Sequence, residues 1–152
     1  MIRIGIRSTL ALAILFASGC VTTITETELE DRLEQAAASL SGRGRAQIVP
    51  IYADTRTVAW GLLSAAKMDR TSPLSVQTGK RIVGAARQGR AVVVGGPYPA
   101  LTDQILRNAL ALHEEDSLQG LRLLVVSAEP PSDELRTAAS AARARLYHRE
   151  LR

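Results

Sequence analysis

Two stretches decide the fold of this chain: Arg90-Ala91-Val92-Val93-Val94-Gly95-Gly96-Pro97-Tyr98-Pro99 and Leu121-Arg122-Leu123-Leu124-Val125-Val126-Ser127-Ala128-Glu129-Pro130-Pro131. Each is an aliphatic run with little polar alternation that breaks into a Gly/Pro turn. Such runs suit strands buried on both faces, as in parallel sheets. Between them, from about Ala100, Leu101, Ile105, Ala109 and Leu112 recur at fours and threes, the spacing of one helical face, and His113-Glu114-Glu115-Asp116 ends it. Beyond the second run, Ser132 is placed to cap a helix carrying Leu135, Ala138, Ala139 and Ala142, and Ala144 to Tyr147 reads as a last short strand. Strand, helix, strand, helix, strand in this order calls for crossovers between parallel strands.

Working towards the N-terminus, Ala46 to Tyr52 is a further strand, and Pro50, which has no N–H, pushes it to an edge or a bulge. Asp54 or Thr55 caps the next helix, with Val58, Ala59, Leu62, Leu63 and Ala66 on one face and Trp60 beside it. Ser72-Pro73 opens another helix towards Arg87, weakened in its first half by Gly79 and β-branched residues. The first helix starts at a capping box, Thr25 with Glu28 or Thr27 with Glu30. Its acids, Glu26, Glu28, Glu30, Asp31 and Glu34, suit the positive end of the helix dipole, and Gly42-Arg43-Gly44 stops it. Leu29, Leu33, Ala36 and Leu40 form its apolar stripe, to be used against its own sheet or against a partner.

The expected fold is α/β: a small three-layer domain with three or four mostly parallel strands, preceded by an N-terminal helix. Its architecture is similar to half of a Rossmann-like or flavodoxin-like domain, a likeness that carries no function with it. The 152 residues, 46% hydrophobic and 22% charged, are enough for one domain and exclude disorder throughout. The chain has one Trp, three Tyr and one Phe, too few flat rings for a base-stacking surface.

Met1 to Cys20 has the three parts of a secretory signal: Arg3 and Arg7, the apolar run Leu10 to Ala17, and small residues before the only cysteine. The run is about half of the ~20 residues that a helix needs to cross a bilayer. Ala17-Ser18-Gly19-Cys20 resembles the lipobox of bacterial lipoprotein precursors, with Ala17 in place of the preferred leucine. The resemblance implies that Cys20 is diacylglycerylated, that a peptidase cuts before it, and that the new amino group is acylated. Val21 in the next position, rather than aspartate, points by the same resemblance to the outer membrane and its periplasmic face. The expected organisation is a signal peptide over 1–19, lipidated Cys20 with a short tether to residue 25, and a single periplasmic domain over 26–152. Losing Arg3 and Arg7 with the leader takes the formal charge from +4 to +2, which weakens any nucleic-acid reading.

Chemistry-bearing residues are sparse. In open α/β sheets ligands gather at the carboxyl ends of strands, so Asp54, Gly95, Gly96 and Ser127 are the candidate ligand-binding residues. Gly95 and Gly96 let a backbone approach a ligand or simply make a tight turn, while Pro97 and Pro99 remove two amides that a phosphate would use. Leu29, Leu33 and Leu40 are the candidate partner-binding residues. No G-x-S-x-G occurs, and His113 and His148 are the only histidines, far apart and without a cysteine pair. No catalytic residue, metal or cofactor is expected. Arg143, Arg145, Arg149 and Arg152 punctuate the C-terminus, a solvated face or a meeting place for acidic lipid, lipopolysaccharide or protein. The expected function is a non-catalytic interaction module of a cell-envelope machine of the secretion, conjugation or pilus type. The alternative is a periplasmic domain for a small ligand or anion. Expected partners are the membrane, through the lipid, and an envelope protein or a second copy of the chain.

Overall fold

A computed structural model describes residues 24–40, 45–113 and 115–152; the leader, Cys20 and the Gly42-Arg43-Gly44 stop lie outside the described residues. Five helices and four strands follow in the order α1 (Glu26–Ala38), β1 (Gln47–Pro50), α2 (Arg56–Met68), α3 (Pro73–Arg87), β2 (Val92–Gly95), α4 (Pro99–Ala111), β3 (Arg122–Ser127), α5 (Asp133–Ala141) and β4 (Arg145–Glu150). A 3-10 turn, Glu115–Leu118, precedes β3.

Local chemistry sets the boundaries. Thr25 caps α1 in a full capping box: its hydroxyl accepts from the Glu28 amide, and Glu28 reaches back to the Thr25 amide at 2.8 Å. These backbone and hydroxyl bonds hold the Glu28 carboxyl below its usual range. Thr55 and Ser132 cap α2 and α5 through their hydroxyls alone, which accept from the amides of Val58 and Leu135. The helix opened by Ser72-Pro73 is continuous through its first half. Gly79 is the reason it fits: a Cβ there would meet His113 Nε2 at 2.6 Å and the Ala109 carbonyl at 3.3 Å, so the glycine lets α3 press onto α4. At that junction, buried Asn108 donates to the Ala66 carbonyl at 2.8 Å and to Ser75 Oγ at 3.2 Å, and accepts from Gln104. One amide side chain thereby ties the end of α2 and the start of α3 to α4.

The four strands form one sheet in the order β1-β2-β3-β4, every pair parallel. Each crossover therefore steps one place in the same direction, and right-handed connections put their helices on a single face. The packing agrees. Val92, Val94, Leu123 and Val125 face a core shared with residues of α2, α3, α4 and α5. Val93, Leu124 and Val126 face the other way, onto Leu29, Leu33 and Ala36 of α1. The result is a three-layer Rossmann-like domain whose second helical layer is a single helix. The two sequence runs that decide the fold are buried as expected, with Val92 and Val94 at 0% exposure, Leu124 at 5% and Val126 at 2%. Val126→Ala, which removes two buried methyl groups, should lower stability by about 1–3 kcal/mol; denaturant titration of the purified variant measures this directly.

Three features position the surfaces. First, Pro50 does lie on an edge strand, β1. Second, α1 packs chiefly on β1 and β2 and reaches Leu124 and Val126 of β3. A helix about 10 Å wide with its side chains spans two to three strands spaced about 4.8 Å apart, so among the described residues β4 is the strand with no helix over that face. Third, Arg143 makes the turn from α5 into β4 with φ of 56°, the left-handed region where glycine is the usual choice.

Candidate functional site

The structure does not bring the candidate residues Asp54, Gly95, Gly96 and Ser127 together around a cavity. Gly95 and Gly96 are buried. A Cβ on Gly95 would run into the Val126 carbonyl oxygen and come within 2.6 Å of Leu33 Cδ2; one on Gly96 would run into the Ile51 carbonyl oxygen and come within 2.8 Å of Thr102 Oγ1. Both glycines serve close packing inside the domain. Asp54 is exposed. Ser127 is buried, its hydroxyl donating to the Glu129 carbonyl at 2.6 Å. His148 does approach Ser127, at 3.2 Å, but through the main-chain carbonyl. Four surface cavities of about 90 to 390 Å³ are lined by none of these four residues. The physical reason is topological. A ligand crevice opens where strand order reverses and neighbouring crossovers part to opposite faces. Sequential order has no such point.

The partner-binding stripe is corrected as well. Leu29 and Leu33 are at 0% exposure against Val93, Leu124 and Val126, and Leu40 is partly buried at the margin of the same cluster. The sheet face left by the one-sided crossovers needs a cover, and α1 provides it. The stripe is therefore spent within the chain.

What the fold assembles instead lies at β4. This strand is exposed along almost its whole length on both faces, with only Leu146 half-buried against the helix-rich side. Register sets Tyr147 beside Leu124 and Arg149 beside Val126, so Arg145, Tyr147 and Arg149 stand on the α1 face of the sheet. Between them and α1 opens a cleft of about 390 Å³, lined by Arg32, Gln35, Ala36, Val126, Arg149, Glu150, Leu151 and Arg152. Its guanidinium groups are held by the chain itself. Arg32 donates to the Arg152 carbonyl, Arg149 donates to Ser39 Oγ at 2.9 Å, and Arg152 pairs with Glu150 at 3.2 Å. Each keeps further N–H donors beyond these bonds. The arrangement can receive carboxylate or phosphate oxygens, for which the planar guanidinium fork is suited.

The C-terminal arginines are visible in the sequence as a basic stretch. Arg32 is not, because it sits among the five acids of α1 and only the tertiary fold turns it towards β4. Trp60 at 62% exposure and Met68 at 89% stand outward on α2. Among the described residues no group of three His, Cys, Asp or Glu side chains is placed to hold a metal ion, and no helix is long and apolar enough to cross a membrane. Comparison with protein-family models, curated proteins and solved structures finds no match to this chain.

Proposed function

We propose that this chain is an outer-membrane lipoprotein, anchored through Cys20 at the periplasmic face, and that its domain is a non-catalytic interaction module of a cell-envelope machine of the secretion, conjugation or pilus type. The observation that carries the interaction reading is β4, an edge strand exposed on both faces, bordered by arginines and lying beyond the three strands that α1 packs against. The apolar stripe of α1 no longer supports it, since that stripe covers the sheet. The anchor rests on the lipobox-like Ala17-Ser18-Gly19-Cys20. Two or three acyl chains, at roughly 0.8 kcal/mol per buried methylene, hold a domain at a membrane essentially permanently. Cys20→Ser should abolish palmitate labelling and leave an uncleaved or mislocalised protein; labelling and fractionation unchanged by the substitution would refute the anchor.

The module reading is tested in cells with a photo-crosslinking amino acid placed either at Tyr147 or at Gln77, which is exposed on the opposite helical face. One envelope protein should be captured from position 147 and not from 77. No capture at 147, or equal capture at both, counts against it. A second reading, a site for a small anion, is favoured by the arginine-lined cleft between α1 and β4.

A further inference from the structure

The two edges of the sheet are chemically unequal. In a parallel ladder the N–H and C=O of one residue point to the same side, and successive residues alternate. In β1, Gln47 donates to the Ala91 carbonyl and Ile51 to the Gly95 carbonyl, so Gln47, Val49 and Ile51 face inward and Ile48 and Pro50 face outward. That outer edge is blunted: Pro50 has no N–H, and the Ile48 carbonyl accepts from the Gln47 side chain at 3.2 Å. In β4, Arg145 donates to the Leu121 carbonyl at 2.7 Å and Leu151 to the Ser127 carbonyl at 3.1 Å. Leu146, His148 and Glu150 therefore turn both N–H and C=O outward. No strand pairs with them among the described residues, and the six-residue strand contains no proline. An edge of this kind is a template for another strand.

The geometry points to strand addition at this edge: β4 takes up an extended acidic segment of a partner protein as a fifth strand. This rests on the interaction-module reading and gives it a partner chemistry. The main-chain groups of Leu146, His148 and Glu150 supply the ladder, as in other cases of strand augmentation. Arg145 and Arg149, on one face with half-exposed Tyr147 between them, supply the choice of side chains. Residues on a newly added strand lie about 5 Å from their cross-strand neighbours, close enough for carboxylates at alternate positions to meet these guanidiniums. The one acid in β4, Glu150, is already paired with Arg152. Charge selects the occupant: a second copy would bring two cationic strands together, whereas an acidic segment neutralises one. Six residues of β4 define a segment of about 20 Å.

The experiment uses the purified full-length protein in detergent and two fluorescein-labelled probes, Gly-(Glu-Val)3-Gly and Gly-(Lys-Val)3-Gly, with anisotropy as the readout. The acidic probe should bind at least tenfold more tightly than the basic one. Arg145→Glu with Arg149→Glu should reverse that preference. His148→Pro removes an outward N–H and should weaken the acidic probe at least tenfold at unchanged Tm. Should that proline perturb the fold, amide hydrogen exchange on the unsubstituted protein gives the same answer: binding must slow exchange at Leu146, His148 and Glu150. Binding without that protection overturns strand addition and assigns the acidic probe to the arginine cleft. Concentration-dependent self-association that shields the same three amides and excludes the probe overturns the acidic partner in favour of a second copy. Crosslinking at Tyr147 in cells with no probe binding overturns this inference while leaving the module reading intact; absence of both overturns both.

Discussion

Leu33→Glu unfolds the domain without any partner being present. Leu33 has 0% exposure and lies in the layer between α1 and the sheet, with its Cδ2 pressed over Gly95. Truncation of a buried leucine alone removes about 2–5 kcal/mol. A carboxylate adds the cost of desolvating a charge against Val93, Leu124 and Val126, none of which can bond to it. A domain of this size has about 5–15 kcal/mol in total, so the variant should show a collapsed thermal transition or none. The measurement is circular dichroism of the purified protein on heating. A variant that keeps its Tm but loses a partner would restore the stripe of α1 to the outside of the molecule and overturn the three-layer packing.

Gly96→Val is the second severe change, and for a different reason. Its Cβ would occupy the place of the Ile51 carbonyl oxygen, which is main chain and fixed by the neighbouring bond from the Ile51 amide to the Gly95 carbonyl at 2.8 Å. Overpacking usually costs about 1–3 kcal/mol, and more where the obstructing atom is backbone. The expected loss is at the upper end or beyond, with Gly96→Ala already destabilised, because the first added carbon makes the clash. Gly61 is the control. A Cβ there meets nothing within 4 Å, and it lies inside α2, so Gly61→Ala should be neutral or stabilise by up to about 1 kcal/mol. Equal tolerance at positions 61 and 96 would show that the end of β2 is more open than described.

These two residues also show how much of the molecule was legible in its sequence. The strands Val92–Gly95 and Arg122–Ser127, their parallel pairing and their burial follow from composition and crossover geometry, because a two-sided apolar run admits few alternatives. Caps at Thr25, Thr55 and Ser132 were readable because the bond is local, three residues long. That the four candidate ligand-binding residues are not brought together around a cavity was not legible, because strand order is not local. Gly95-Gly96 looks the same in sequence whether it opens to a crevice or lies under Ile51 and Leu33, and only the one-directional winding decides between them. The same winding makes α1 a cover rather than a partner surface. Asn108 was missed as a core residue because its three partners come from Ala66, Ser75 and Gln104, two of them more than 30 positions away. The arginines of the C-terminus were visible, but not that β4 would present them on an open edge.

Strand order here is also the order of synthesis. Every strand after the first joins the one made just before it, and no later segment has to be inserted between two earlier ones. The sheet can therefore be laid down from one end while the chain is still emerging from a ribosome. α1 and β1 wait for β2 and β3 to complete their shared core. Completion comes with β4, which arrives last and packs chiefly on β3 and α5. A growing front of this kind has no built-in stopping rule, so at every stage the newest strand is the sticky one. In the finished protein that position belongs to a strand half of whose side chains, Arg145, Arg149 and Glu150, are charged, and the edge made first is the one that carries the proline.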